Sequence, residues 1–406
     1  MPGHGCRTSF IPGCCFGVDD VKIILMANTD WYLFNFRLPL ARALKAQGHE
    51  VLLISPHGDY GARLSEAGFR WVPFAMDRRS VNPFREILVI TRLALLYRRE
   101  RPEVVHHFTV KCVVYGALAA AFARIPSRIN ALAGLGYVFS NNSIKAHLLR
   151  PLVRSLLRWS LNNFRSRLIL QNPDDVKAFK LAAIVDESRV HLIKSSGVDT
   201  HRFQPTFDTN VLGQPTRVLL AARLLWDKGL AEYVQAARRL RGAGLAIRFL
   251  LAGAPDHGNP ASLRQDELDA WATEGVIEVL GHVDNMPALL ANTDIMVLPS
   301  YYGEGVPRSL IEAAACGLPI VTTDSHGCRE VVTDGVNGFL IPVRNSEALA
   351  EAIQRLHENP EMRSELGAGS RQLALADFDE RIIIEKTLAV YDELRSCLNL
   401  SGVLIK

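Results

Sequence analysis

The sequence predicts an α/β protein built from two consecutive doubly wound units, each a parallel sheet with helices on both faces. Three observations carry that expectation. With 406 residues, 48% of them apolar and 22% charged, the chain has globular composition and enough length for two separate cores. Short apolar runs alternate with longer amphipathic stretches, which is the rhythm of strand and crossover helix. That rhythm starts over midway, after a loop around SSGVDTHRFQP, with no short-period repeat and no low-complexity tract.

The elements follow in order. Residues 1–20 include MPGHGCRTSFIPGCCFG, which lacks the continuous apolar core of a signal peptide and is expected to be a poorly ordered tail. From Val21 come the strand VKIILMA, the helical FRLPLARALKAQG, the strand HEVLLISP, the helical GARLSEAG and the strand FRWVPF. EVVHHF, VYGALAAAFAR, SRINAL and SRLILQ complete a first unit over 21–197. A second unit over 198–380 reads RVLLAAR, GLAEYVQAARRL, AIRFLLAG, VIEVLGH, DIMVLPS, PIVTTD and GFLIP. The closing ERIIIEKTLAVYDELRSCL, within 381–406, is an amphipathic helix with no strand after it, expected to pack back toward the first unit. Ligands of such sheets bind beyond the carboxyl ends of the strands. Two facing units therefore suit an enzyme that joins two substrates across a cleft.

Charge and composition narrow the class. The net charge of +4 conceals +12 in residues 1–200, with 27 Lys and Arg against 15 Asp and Glu, and −8 in the remainder. A basic first half suggests a polyanionic partner, whether nucleic acid, lipid headgroup or phosphorylated substrate. No apolar run is long enough to span a bilayer, and a cytoplasmic protein is expected. Seven cysteines without paired metal spacing read as reduced thiols.

The stretch YYGEGVPRSLIEAAACGLPIV, 301–321, holds two carboxylates eight positions apart. DIMVLPS before it is a strand; Pro307 suits the first turn of the following helix and Gly317 its stop. Glu304 then lies in the loop over the sheet edge and Glu312 inside the helix. Eight helical residues would separate them by roughly 12 Å along the axis. That exceeds the roughly 5–9.5 Å of a hydrolase's carboxylate pair and does not favour one shared metal. Two contacts to distant parts of one elongated ligand fit better, with the helix N-terminus between them open to an anion. The alternative, two solvated glutamates, is weakened because Glu312 interrupts the otherwise apolar LIEAAACG.

These residues, followed by DSHGCREVVTDGVNGFLIP, resemble the donor-binding signature of the family-4 glycosyltransferases of the GT-B fold. The likeness runs from about Val21 to Leu398 and includes SSGVDTHRF and AARLLWDKGL. It implies two Rossmann-like domains, the first binding an acceptor and the second a nucleotide sugar. By the same resemblance Glu304 contacts the transferred sugar and Glu312 the ribose, while Arg223 and Lys228 neutralise the diphosphate; Glu304, Arg223 and Lys228 are the catalytic candidates together with His106. Gly305, Val306, Pro307 and Ser309 join the donor contacts. The family usually has Gly before that arginine, where this chain has Ala222. Retention of anomeric configuration, a metal-independent step with no cofactor, and UDP-sugar as donor are likewise what the resemblance implies.

In the first half, EVVHHFTVK places His106 and His107 at a strand end, on opposite faces, so at most one faces the cleft; His106 is preferred. Lys111 in the next loop could meet a phosphate. Gly134 and Gly136 in AGLGYVF offer close backbone approach. NTDWYLFNF, where a glycine pair is usual, hints at an aromatic-lined acceptor site. Residues 141–172 hold six Lys or Arg and no acid, and Arg150, Arg154 and Arg158 recur every four residues beside apolar ones. Such a helix suits a membrane surface; a core-packed helix with a solvated basic edge is the alternative. NPFREILVITRLALLYRRERP has the same character. The partners expected are thus a UDP-sugar, a lipid-linked sugar acceptor and the cytoplasmic face of the inner membrane, with no nucleic acid. Asp377 and Asp379 read as caps of the last helix, and no metal site is expected. WYLFNFRLPLARAL, HHFTVKCVVYGALAA and INALAGLGYVF most resemble bacterial enzymes that extend undecaprenyl-diphosphate-linked sugars, such as N-acetylgalactosaminyltransferases. A nucleotide-sugar epimerase or hydrolase of the same fold, and a non-catalytic nucleotide-sugar-binding subunit, are the rival readings.

Overall fold

The computed structural model describes residues 21–403, except 78, 79, 81, 134–143, 164, 207–213, 257, 258 and 302. The expected tail, 1–20, lies outside the described residues, as do Gly134 and Gly136.

The first sheet contains β1 (Lys22–Met26), β2 (Glu50–Ser55), β3 (Arg70–Pro73), β4 (Val104–Phe108), β5 (Ser127–Leu132), β6 (Ser166–Leu170) and β7 (Val190–Leu192), in spatial order β3-β2-β1-β4-β5-β6-β7. The second contains β8 (Thr216–Ala221), β9 (Ile247–Ala252), β10 (Glu278–Gly281), β11 (Ile295–Leu298), β12 (Ile320–Thr323) and β13 (Gly338–Ile341), in order β10-β9-β8-β11-β12-β13. All strand pairings in both sheets are parallel. Strands covered on both faces must be apolar throughout, and Ile23, Ile24, Leu25 and Met26 of β1 are accordingly all buried. β7 was not legible as a separate strand: it is three residues long, partly exposed and at the sheet's end.

The helices that matter below are α1 (Leu38–Ala46), α2 (Pro83–Glu100), α3 (Val110–Phe122), α4 (Ile144–Leu161), α5 (Pro173–Leu181), α6 (Leu230–Gly242), α7 (Arg308–Ala315) and α8 (Glu380–Val403). Strand order reverses between β1 and β4 in one sheet and between β8 and β11 in the other. Crossovers leave in opposite directions there, and a crevice opens at the carboxyl edge.

The chain crosses between the units twice, side by side. Val198 donates its N–H to Phe378 O at 2.8 Å, and Glu380 donates to Val198 O at 2.9 Å. Gly197, at φ +79°, permits this approach, since a Cβ there would lie 2.6 Å from Glu380 Cα. Asp379 accepts Thr200 Oγ1 at 2.5 Å and the Arg381 guanidinium at 2.8 Å; these hydrogen bonds, Arg381 first, hold its carboxyl well below the usual range. Beyond the crossing, α8 lays Ile383, Val390, Tyr391 and Leu394 into the core that also holds Leu25, Leu33, Leu40 and Leu44 of the first unit.

Candidate functional site

The second sheet's crevice is formed by the loops that leave β8 and β11. The β8 loop, Ala222–Lys228, ends in a short 3-10 turn stopped by Gly229 at φ +77°. A Cβ on Gly229 would sit 2.2 Å from Pro299 O, so glycine is what lets the two loops touch. They are stitched by Tyr301 N donating to Asp227 O at 3.1 Å and by Ser300 Oγ, which is 3.1 Å from both Asp227 O and Glu304 Oε1. This apposition brings the buried Lys228 ammonium onto the Glu304 carboxylate. Arg223, exposed on the same loop, pairs instead with Asp256 Oδ2 at 2.8 Å. An exposed pair of this kind is worth only ~0–1 kcal/mol, so the Arg223 guanidinium is held there weakly.

Glu312 lies in the second turn of α7, and Arg308 Nε reaches its Oε1 at 2.8 Å. Burial raises the Glu312 pKa above the ordinary carboxylate value, and Arg308 opposes that shift. Arg308 also crosses the cleft, donating through Nη1 to Asn35 O at 2.5 Å with its guanidinium 4.8 Å from the Phe36 ring. Of the other predicted donor contacts, Pro307 is the N-cap of α7 and Ser309 stands in its first turn, half-buried. The Val306 side chain is in the core, which leaves only its backbone for a ligand.

The loop 303–307 is wedged between the units. Asn172, at the end of β6 and the N-cap of α5, donates Nδ2 to Glu304 O at 3.2 Å and Gly305 O at 3.3 Å. A Cβ on Gly305 would meet Gln171 Oε1 at 2.3 Å, and one on Gly327 would meet Gly305 O at 2.0 Å. Sequence reasoning missed Asn172, Arg308, Asp256 and Gly327. The i,i+4 pair of Arg308 with Glu312 was the one signal available for any of them; the others become neighbours only through the fold.

On the first unit, a cavity of 320 Å³ opens beyond β1, β2 and β3, lined by Asn28, Thr29, Asp30, Pro56, His57, Met76 and Asp77. Asp30 shapes it, accepting Trp31 N–H at 2.8 Å and the N–H groups of Tyr60 and Gly61 at 2.9 Å. Trp31 and Tyr32 each meet Phe36 edge-on at 5.0 Å, an aromatic cluster next to the cavity in sequence, though none of the three rings is among the residues that line it.

Three expectations for this unit need correction. His106 and His107 do point to opposite faces of β4, but neither reaches the cleft. His106 is buried under α8, with Nδ1 2.9 Å from Tyr391 Oη and its ring 4.1 Å from that of Phe108. His107 is buried under α2, with Nε2 3.0 Å from Tyr97 Oη and Nδ1 2.9 Å from Asn130 Oδ1. Burial lowers both pKa values, to about 4 for His107, so both imidazoles are neutral packing groups. The physical reason is that β4 runs on to Phe108, which puts the histidines below the sheet edge. Lys111 is also committed: it pairs with Glu86 at 2.9 Å and donates to Asp77 O at 2.6 Å and Ser80 O at 2.9 Å. It ties the cavity's rim to α2 and α3. At the sheet's edge stands Thr109, a non-glycine residue at φ +76°, in the strained backbone region that functional sites often use.

Of the predicted basic stripe, Arg154 donates to Ala182 O, and Arg158 is exposed beside Trp159 at a second cavity of 540 Å³. The side chain of Arg150 lies outside the described residues.

Residues 204–373 match the family model described as glycosyl transferases group 1, and residues 22–172 match that described as glycosyl transferase 4-like. The chain is 30% identical over 385 residues to the N,N'-diacetylbacillosaminyl-diphospho-undecaprenol alpha-1,3-N-acetylgalactosaminyltransferase of Campylobacter jejuni, covering 92% of this chain and 99% of that protein. In fold it is similar to Anabaena Alr3699/HepE solved with UDP and glucose, at a TM-score of 0.74 and 19% identity over 92% of this chain and 99% of that one. It is similar also to WaaG, a glycosyltransferase involved in lipopolysaccharide biosynthesis, at a TM-score of 0.68 and 17% identity over 90% and 98%.

Proposed function

The chain belongs to the group 1 and 4-like glycosyl transferases of GT-B fold, and from that premise we propose that it moves a hexose or N-acetylhexosamine from a UDP-sugar to a polyprenyl-diphosphate-linked sugar. The step retains anomeric configuration and takes place at the cytoplasmic face of the inner membrane. The observation that carries this reading is the crevice at β8 and β11, where Lys228 meets Glu304, with Arg223 on the same loop as Lys228 and Glu312 on the helix that follows Glu304. Two cations and the N-terminus of α7 suit a leaving nucleoside diphosphate; preorganised groups of this kind are worth ~3–4 kcal/mol each in the transition state. The diphospho-undecaprenol sugar for which the C. jejuni relative is named, and the UDP and glucose bound by HepE, support the two substrate classes.

In this reading Glu304 holds hydroxyls of the transferred sugar, and Lys228 turns from it to the diphosphate when donor arrives. Glu312 holds the ribose and Arg308 keeps it oriented. The acceptor sugar enters the 320 Å³ cavity of the first unit. The bond from the anomeric carbon to the phosphate oxygen breaks as the bond to the acceptor oxygen forms on the same face, and the departing phosphate takes the hydroxyl proton. Arg223, Lys228 and the helix N–H groups carry the developing charge, so the step requires no metal ion. Incubation with a panel of UDP- and GDP-sugars and a polyprenyl-diphosphate sugar tests the proposal. A mass gain of one sugar on the acceptor with a UDP donor is expected. Donor consumed with the acceptor unchanged would favour an epimerase or hydrolase instead.

A further inference from the structure

Helix α2 exposes what a soluble helix ordinarily covers. Phe84 is 82% exposed, Ile87 62%, Leu88 48% and Leu95 58%. Phe84, Leu88, Thr91 and Leu95 recur at intervals of four, three and four, the spacing of one helical face. Arg85, Arg92 and Arg99 recur every seven residues along one flank of that face, all exposed, and Arg98 lies on the other flank. Phe122 at the end of α3, 59% exposed, extends the apolar surface beside Arg98, which donates to its carbonyl at 2.8 Å. The acids of this helix are turned inward: Glu86 is buried against Lys111, and Glu100 against Arg70 and Lys22. Clustered exposed apolar side chains, here interrupted by Thr91, mark interaction sites.

We infer that this face of α2 is a bilayer-docking surface, in which the apolar stripe enters the interface of an anionic phospholipid membrane and Arg85, Arg92 and Arg99 meet its headgroups. Charge complementarity selects that occupant, because an exposed face with arginines and no acid matches an anionic surface. Position supports it. Lys111 fastens the first turn of α2 to the carbonyls of Asp77 and Ser80, and Asp77 lines the 320 Å³ cavity, so docking through α2 sets that cavity beside the membrane. This assigns lipid contact to α2 rather than to Arg154 of α4, whose guanidinium is taken by Ala182 O. The inference rests on the reading that the acceptor is carried by a membrane lipid, but its test uses no sugar substrate.

Co-sedimentation of the full chain with vesicles of phosphatidylcholine containing about one third phosphatidylglycerol provides that test, with pure phosphatidylcholine vesicles as the comparison. The wild-type chain should partition to the anionic vesicles. Arg85→Gln/Arg92→Gln/Arg99→Gln should weaken this on the order of 100-fold. Ile87→Ser/Leu88→Ser/Leu95→Ser should weaken it at both low and high salt, with UDP binding at the second unit unchanged. Undiminished vesicle binding by both variants would overturn the inference, as would a wild-type dimer that dissociates in the serine variant without vesicles. Vesicle binding lost in the variants, in a protein that transfers no sugar, would uphold the surface and refute only the transferase reading.

Discussion

Gly327→Ala is the substitution whose effect the structure fixes most tightly. Gly327 sits at φ +78° and ψ −39°, where an alanine costs ~1–3 kcal/mol in backbone strain. Its added Cβ would stand 2.0 Å from Gly305 O and 2.7 Å from Glu304 O, so the loop carrying Glu304 must retreat by more than about 1 Å to restore van der Waals contact. A misplacement of that size at a reacting centre costs on the order of 100-fold in rate. Loss of stability should be ~2–3 kcal/mol, a fall of several degrees in Tm for units of this size. Two controls separate the causes. Gly335→Ala, at φ +72° with nothing within 4 Å, bears the strain alone; Gly303→Ala meets nothing within 4 Å and should leave Tm unchanged. Thermal melts and kcat/KM for the donor check this. A Gly327→Ala protein with wild-type Tm and wild-type kcat/KM would refute the claim that this glycine seats the loop of Glu304.

Two further outcomes follow from buried groups. The paired hydrogen bonds from Arg70, with Lys22, lower the Glu100 pKa to about 2. A depressed carboxylate pKa stabilises the fold above the unfolded value of about 4.3 and loses that contribution as pH falls toward 2. The term is at most ~3 kcal/mol and smaller in practice, because Arg70 is half exposed; denaturant melts should show Glu100→Gln with a shallower loss of stability between pH 5 and pH 2 than wild type. His106→Phe removes the contact to Tyr391 Oη and should cost ~1–3 kcal/mol in stability while kcat stays within about threefold. A large fall in kcat at unchanged Tm would restore His106 to the site.

Much of the fold is legible in the sequence because parallel strands covered on both faces must be apolar through their middles, and runs such as IILM after Lys22 and VLLA after Arg217 are. The separate placement of Glu304 and Glu312 was legible for a similar reason, since Pro307 marks a helix start between them. What linear spacing does not carry is the depth of a strand end and the company a loop keeps. The alternation that separates His106 from His107 does not say that β4 continues to Phe108. The sequence shows Lys228 and Glu304 76 positions apart; they meet because Gly229 lets its loop close on Pro299 O and because Tyr301 and Ser300 bond to Asp227 O. Lys111 looked free for a phosphate because the carbonyls it holds belong to a loop more than thirty residues earlier. The exposed stripe of α2 was visible as a pattern, but apolar periodicity alone does not tell a face turned to the core from one turned outward.

The division of labour between the two glutamates is tested most directly by titrating UDP into Glu304→Gln and Glu312→Ala and measuring sugar transfer by each. Glu304→Gln should bind UDP within about threefold of wild type, since it frees Lys228 for the diphosphate, yet lose transfer by at least about 100-fold. Glu312→Ala should weaken UDP itself by roughly 10- to 100-fold, the worth of a charge-assisted hydrogen bond. Equal losses of UDP affinity in the two proteins would contradict the assignment of one glutamate to the sugar and the other to the nucleotide.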